Sequence, residues 1–247
     1  MNEYAICELS VVPVRSGASE TSEMVTQLLF GETAKVLEVK EKWIKVELTH
    51  DRYTGWVDRK MLHPVSGDDF EILTKEECRV LSVPFAEVIT LKGRQVIPMG
   101  SYMRKSLLLN YRKTDVATQK TTIETLPELA QSLLNTPYLW GGRTVFGLDC
   151  SGLVQILFRL AGVELPRDAS QQFRLGKKVK NIENIRPGNL AFFGEKNKIT
   201  HVGLILDKTH IIHASGWVRT DTIDAIGIYN EDLKDYSHKL ISVKRIA

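Results

Sequence analysis

Gly147-Leu148-Asp149-Cys150-Ser151-Gly152-Leu153-Val154-Gln155-Ile156-Leu157-Phe158-Arg159-Leu160-Ala161-Gly162 runs from a glycine-bearing turn into an amphipathic segment. Leu153, Val154, Leu157, Leu160 and Ala161 recur at helical spacing, which predicts a helix over residues 150–161 with Gly162 as its stop. Cys150 stands in the first turn of that helix. Unpaired N–H groups and the positive end of the helix dipole there favour a thiolate over a thiol. Asp149, one residue earlier, is a natural N-cap. Gly141, Gly142 and Gly147 allow the chain to approach a ligand closely.

The pattern on either side of this helix sets the fold class. Pro127 to Leu134 reads as a short helix opened by its proline, and Asn135-Thr136-Pro137 breaks it. Beyond residue 189 the chain turns to strands at Leu190–Phe193, His201–Leu206, His210–Ala214 and Leu240–Arg245. Residues 127–247 are therefore expected to be an α+β domain, helices first and an antiparallel sheet after. The polar stretch 116–126 suits a linker. Ahead of it, alternation at Ala34–Val39, Trp43–Leu48 and Tyr53–Val57 predicts one small all-β barrel over residues 1–65. The runs Cys78–Val83, Glu87–Thr90 and Arg94–Met99 predict a second over residues 66–115.

Composition excludes several functions. With 43% hydrophobic and 26% charged residues in 247, the chain is neither disordered nor fibrous. A net charge of +3 is too mild to point to nucleic acid. No apolar run approaches the roughly 18 residues of a membrane span. The start, MNEYAICELSV, lacks a basic region followed by an apolar one, so a cytoplasmic location is expected, or a periplasmic or secreted one if a leader has been removed. The three cysteines, at 7, 78 and 150, include no C-x-x-C pair, and no metal, cofactor or protein partner is expected. Cys7 and Cys78 lie in strand patterns and read as packing residues.

A thiol nucleophile needs a base, and the base benefits from an orienting group. If the strands around Asp207-Lys208-Thr209 form a hairpin whose paired positions sum to 414, His201 lies directly opposite His213. Their Cβ atoms would then be about 4.5–5.5 Å apart. One imidazole could act as the base and the other fix its tautomer.

Six ordered blocks carry a resemblance. They are Tyr138-Leu139-Trp140-Gly141-Gly142, Leu148-Asp149-Cys150-Ser151-Gly152-Leu153, Leu165-Pro166-Arg167-Asp168, Arg186-Pro187-Gly188-Asn189-Leu190-Ala191-Phe192-Phe193, His201-Val202-Gly203 and Ile212-His213-Ala214-Ser215. Together they resemble the NlpC family of papain-like cysteine peptidases. Gly55-Trp56-Val57 is similar to the last-strand signature of the bacterial SH3-like domains that often precede it. The resemblance implies Cys150 as nucleophile, His201 as base and His213 as orienting group. Tyr138 is expected to help hold the oxyanion, and Trp140, Asp149, Ser151 and Asp168 to contact substrate, with Glu23 and Tyr53 contributed by the first SH3-like domain. Ala169 stands where related enzymes often have Ser, and Ser170 follows it. The implied activity is hydrolysis of the γ-D-Glu to diamino acid bond of murein stem peptides with a free N-terminal L-Ala, releasing L-Ala-D-Glu. The alternative is an endopeptidase or amidase working on intact peptidoglycan.

Overall fold

The computed structural model describes residues 3–76, 78–91, 93–104, 111–113, 121–196 and 198–246. The chain divides into two compact units, 1–119 and 120–247. Residues 116–120 of the segment read as a linker, 116–126, lie outside the described residues.

The first unit begins with seven strands: β1 (Tyr4–Ile6), β2 (Val11–Arg15), β3 (Met24–Leu29), β4 (Thr33–Lys40), β5 (Trp43–Leu48), β6 (Thr54–Asp58) and β7 (His63–Val65). They form one antiparallel sheet in the order β3-β2-β6-β5-β4-β1-β7, an SH3-like arrangement. Period-two alternation turns Val12, Val14, Ile44, Val46 and Leu48 inward around Cys7, which packs as a core residue. A helix that the periodicity did not predict, α1 (Gly67–Lys75), follows. The Ser66 hydroxyl caps it by accepting from the Asp69 N–H at 3.1 Å. The strands after it are β8 (Arg79–Val80), β9 (Phe85–Thr90), β10 (Gly93–Pro98), β11 (Tyr102–Met103) and β12 (Tyr111–Lys113). The Cys78–Val83 run is a strand only at Arg79–Val80. Leu73, Leu81, Val88, Ile97 and Met103 share a second core with Ile6 and Phe30 of the first sheet.

The second unit opens with α2 (Leu126–Gln131), shorter than its apolar run, followed by β13 (Arg143–Thr144) and β14 (Gly147–Leu148). The expected central helix is α3 (Cys150–Leu160), every residue of which is buried. After α4 (Ala169–Gln172) come β15 (Lys177–Val179), β16 (Leu190–Glu195), β17 (Lys198–Ile205), β18 (His210–Ser215), β19 (Trp217–Ile223), β20 (Gly227–Asn230) and β21 (Asp235–Arg245). β19 and β20 were not anticipated. The long β21 pairs with β16 and also with β20, so the sheet β16-β17-β18-β19-β20-β21 closes on itself. Ala191, Phe193, Ile205, Ile211, Ile223, Ile228 and Val243 fill its interior. α3 packs against β17 and β18. No helix among the described residues is long and apolar enough to cross a membrane.

Candidate active site

Cys150 begins α3, whose N-cap is Asp149. The Asp149 Oδ1 accepts from the Gly152 N–H at 2.7 Å, and Oδ2 accepts from the Gly141 N–H at 2.9 Å. The same carboxylate is gripped by both terminal nitrogens of the Arg167 guanidinium and by the Ser151 hydroxyl. Arg167 is 1% exposed and also donates to Ser151 Oγ at 2.8 Å. Gln155 and Gln172 hold the strand of chain that delivers Arg167, donating to the carbonyls of Leu165 and Pro166. A carboxylate has about four lone-pair sites. Those of Asp149 are met inside the fold, so it anchors the nucleophile turn rather than offering an acceptor to a substrate amine. Arg167, quoted only as part of a motif in the sequence reading, is the residue that decides this.

The glycines of this turn have a steric purpose. A Cβ on Gly152 would lie 2.2 Å from the Gly142 carbonyl oxygen. Only glycine lets the first turn of α3 press against the Trp-Gly-Gly segment.

The expected thiolate is not the resting form. Burial, reinforced by Asp149, pushes the Cys150 thiol up to about 12, against the lowering by the Val202 and Ser151 N–H groups and Arg167. The helix terminus does not outweigh desolvation, and attack must be coupled to proton removal by a base.

His201 and His213 meet, with His201 Nε2 2.8 Å from His213 Nδ1. The register that brings them together differs from the one expected. β17 and β18 pair Leu204 with Ile212 and Ile205 with Ile211, so paired positions sum to 416, not 414. The turn is the expected Asp207-Lys208-Thr209, closed by the Leu206 N–H donating to the His210 carbonyl at 2.9 Å, and so it centres the hairpin on residue 208. A shift of two keeps both histidines on one face. It puts Gly203 in register with His213, where a Cβ would come within 3.0 Å of the His213 Cβ and 2.7 Å of Ile211 Cδ1. The missing side chain leaves the space through which His213 reaches diagonally to His201.

Asp221 on β19 completes the line, a residue the sequence reading missed. His213 Nε2 lies 2.9 Å from Asp221 Oδ2, and Arg219 binds the same carboxylate at 2.8 Å. Burial opposes ionisation of Asp221, but the hydrogen bonds from His213 and Arg219 outweigh it and hold the carboxyl below its usual range. The available signal was alternation: Arg219 and Asp221 are two apart on one strand face, and Arg219 pairs with His213.

Hydrogen-bond logic then fixes both tautomers. A carboxylate only accepts, so His213 carries its proton on Nε2 and presents a lone pair at Nδ1. His201 must donate to that lone pair from Nε2, which leaves its own lone pair on Nδ1. Burial, then His213 and His238, hold the His201 imidazolium well below its ordinary range, so the ring is neutral at neutral pH.

The remaining expected residues fall as follows. Tyr138 is half-buried, its N–H bonded to the Gly216 carbonyl at 2.9 Å. Burial, with Cys150 and Asp149 nearby, pushes its phenol up to about 12, so it stays a proton donor. Trp140 is 61% exposed. Ser151 is engaged by Arg167. Asp168 heads α4, its N–H donating to Gln171 Oε1 at 3.2 Å. Ala169 is buried and Ser170 exposed. In the first unit, Glu23 is exposed just before β3, and the half-buried Tyr53 donates its N–H to Asp51 Oδ1 at 3.0 Å.

Residues 135–237 match the NlpC/P60 family, and residues 14–62 match the bacterial dipeptidyl-peptidase SH3 domain. A gamma-D-glutamyl-L-lysine dipeptidyl-peptidase of Bacillus subtilis (strain 168) is 29% identical over 223 residues, spanning 81% of this chain and 75% of the relative. One of Bacillus cereus (strain ATCC 10987 / NRS 248) is 27% identical over 232 residues, 79% and 68% of the two chains. The crystal structure of an NlpC/P60 family protein from Bacillus cereus ATCC 10987 superposes with a TM-score of 0.82 at 19% identity, over 98% of this chain and 99% of that one, and so shares the fold. The chain thus carries an NlpC/P60 domain over residues 135–237 and, ahead of it, a bacterial dipeptidyl-peptidase SH3 domain over residues 14–62.

Proposed function

We propose that this protein is a cysteine peptidase that hydrolyses the γ-D-Glu to diamino acid bond of murein stem peptides bearing a free N-terminal L-Ala, and releases L-Ala-D-Glu. The observation that carries the reading is the buried relay Asp221–His213–His201, which fixes a neutral base on β17, the same strand whose Val202 N–H binds the Cys150 sulfur. The dipeptidyl-peptidase relatives supply the substrate class.

In this reaction Nδ1 of His201 takes the thiol proton as the Cys150 sulfur adds to the γ-carbonyl of D-Glu. Developing negative charge on oxygen is met by the first-turn N–H of α3 and the Tyr138 hydroxyl, each such donor being worth roughly 2.7–4 kcal/mol. The His201 imidazolium then protonates the leaving amine. The neutral ring next removes a proton from water, which opens the thioester and returns the thiol. Trp140, Asp168, Glu23 and Tyr53 are assigned to substrate contact.

Mass spectrometry on L-Ala-γ-D-Glu-L-Lys and its diaminopimelate counterpart, each free or acetylated at the terminal amine, tests the reading. The free peptides should yield L-Ala-D-Glu, the acetylated ones should resist, and Cys150→Ala should abolish turnover. Equal cleavage of free and acetylated peptides would overturn the dipeptidyl specificity. Turnover retained by Cys150→Ala would overturn cysteine catalysis.

A further inference from the structure

The relay uses two histidines, yet three are gathered. His238 on β21 lays its ring on the face of His201, with centroids 4.1 Å apart and planes 29° from parallel. Its ring also stands edge-on to His213 at 5.6 Å. One ring nitrogen from each of His201, His213 and His238 lies within 4.8 Å of the other two. Proton relay through Asp221 and His213 does not call for a third imidazole in this place.

We propose that His201, His213 and His238 form a site for a divalent transition cation of the zinc class, and that the occupied site holds the enzyme inactive.

Three imidazole nitrogens with an open fourth position are a familiar zinc ligand set, with Zn–N distances of about 2.0–2.1 Å. Tetrahedral geometry at that length places the nitrogens roughly 3.3 Å apart, so separations of up to 4.8 Å close by at most about 1.5 Å to bind. His238 is half-buried, whereas His201 and His213 are buried.

The second shell is already built for a metal. Ligating histidines nearly always donate their other N–H to a carboxylate or carbonyl, which fixes the tautomer and raises the basicity of the ligand nitrogen. His213 does this to Asp221, itself held by Arg219, and turns the Nδ1 lone pair toward His201. The Ser237 hydroxyl, 2.9 Å from His238 Nδ1, can donate or accept and so suits either tautomer of that ring.

A cleft of about 380 Å3 reaches the His238 corner of the cluster between the β16–β17 hairpin and β21, with Glu195, Lys198, Ser237 and Lys239 among its walls.

The off state follows from proton bookkeeping on His201. A cation at Nε2 needs the lone pair there, so the single ring proton moves from Nε2 to Nδ1 with no change in net charge. The cation replaces the hydrogen bond to His213. Nδ1 now carries a proton and cannot take one from the Cys150 thiol. This inhibitory consequence rests on the peptidase reading, while the binding itself does not.

Calorimetric titration of ZnCl2 into the full chain carrying Cys150→Ala, which removes the thiol as a ligand, tests the site. The expected result is one zinc ion per chain. Adding either His238→Gln or His238→Phe should weaken it at least about 10-fold, and adding Asp221→Asn about 10- to 100-fold. Circular dichroism of the metal-free variants verifies folding, and two substitutions at 238 guard against one failing. Absence of stoichiometric binding, or equal affinity in the folded His238 variants, would overturn the site. With wild-type protein, zinc should stop peptide cleavage and a chelator restore it. Zinc bound with undiminished cleavage would overturn the off state. A chain that binds zinc through His238 but cleaves no stem peptide would overturn the proposed function and leave the site standing.

Discussion

Each unit of this chain buries histidine, and the two environments are opposites. In the SH3-like unit, His50 Nε2 lies 3.1 Å from Asp51 and Nδ1 3.5 Å from Glu32, all three side chains being nearly or wholly buried. Carboxylate oxygens thus flank the ring on both sides, one from the turn between β3 and β4 and one from the turn after β5. In the peptidase unit a single carboxylate, Asp221, serves a row of imidazoles and leaves a lone pair at the far end. The contrast lies in the number and placement of carboxylates: two face the ring of His50, whereas one closes the far end of the row that leads to His201.

Breaking the row should have the largest effect. Asp221→Asn keeps the shape, but its amide can turn an N–H toward His213 Nε2. That would reverse both tautomers and put a proton on His201 Nδ1. By analogy with the serine-protease triad, kcat should fall by up to about 10^4-fold with KM little changed. A fall confined to KM, or none, would show that the carboxylate does not set the tautomer.

Breaking the other cluster should act on stability instead. His50→Gln removes the buried ring set between Asp51 and Glu32, a change expected to cost about 1–3 kcal/mol. Urea unfolding should show that loss, while kcat of the folded fraction stays near wild type. An unchanged midpoint would mean the cluster is not holding the barrel.

The subtlest consequence lies in pH. His201 is held neutral well below its ordinary range by burial, then by His213 and His238, and burial lowers His238 to about 4. The base therefore stays unprotonated as pH falls through 6.5, and kcat/KM should drop only in more acidic solution. Stability moves the other way. Below about 6.5 these histidines protonate more readily in the unfolded chain than in the fold, so stability should decline as pH falls from there toward 4. An acid limb of kcat/KM at about 6.5 would show an exposed, ordinary base.

Much of this was legible along the chain. The α3 helix and its Asp149 cap could be read because they depend on local spacing and on a neighbour's side chain. Cys150 stood out through its place in that helix, and His201 and His213 through their motifs. The hairpin register was misjudged by two residues, because the Asp207-Lys208-Thr209 turn closed by Leu206 and His210 centres the pairing on residue 208, not 207. Even so, parity saved the prediction that the two rings share a face.

Other features had no local signature. Asp221 is eight residues from His213 in sequence and reaches it only because β19 pairs with β18. Arg167 cancels the Asp149 carboxylate from 18 residues away, and His238 arrives on the last strand to lie against His201. By itself the sequence determined the α3 helix with its cap and the strands β16, β17, β18 and β21, and singled out Cys150, His201 and His213 as candidates, since those follow from periodicity, capping and ordered motifs. The closed sheet alone decided that His201 is held neutral, how the two rings bond to each other and to Asp221, and the third imidazole beside them. These depend on desolvation and on partners brought together by strand pairing over long stretches of chain, which no short window of residues encodes.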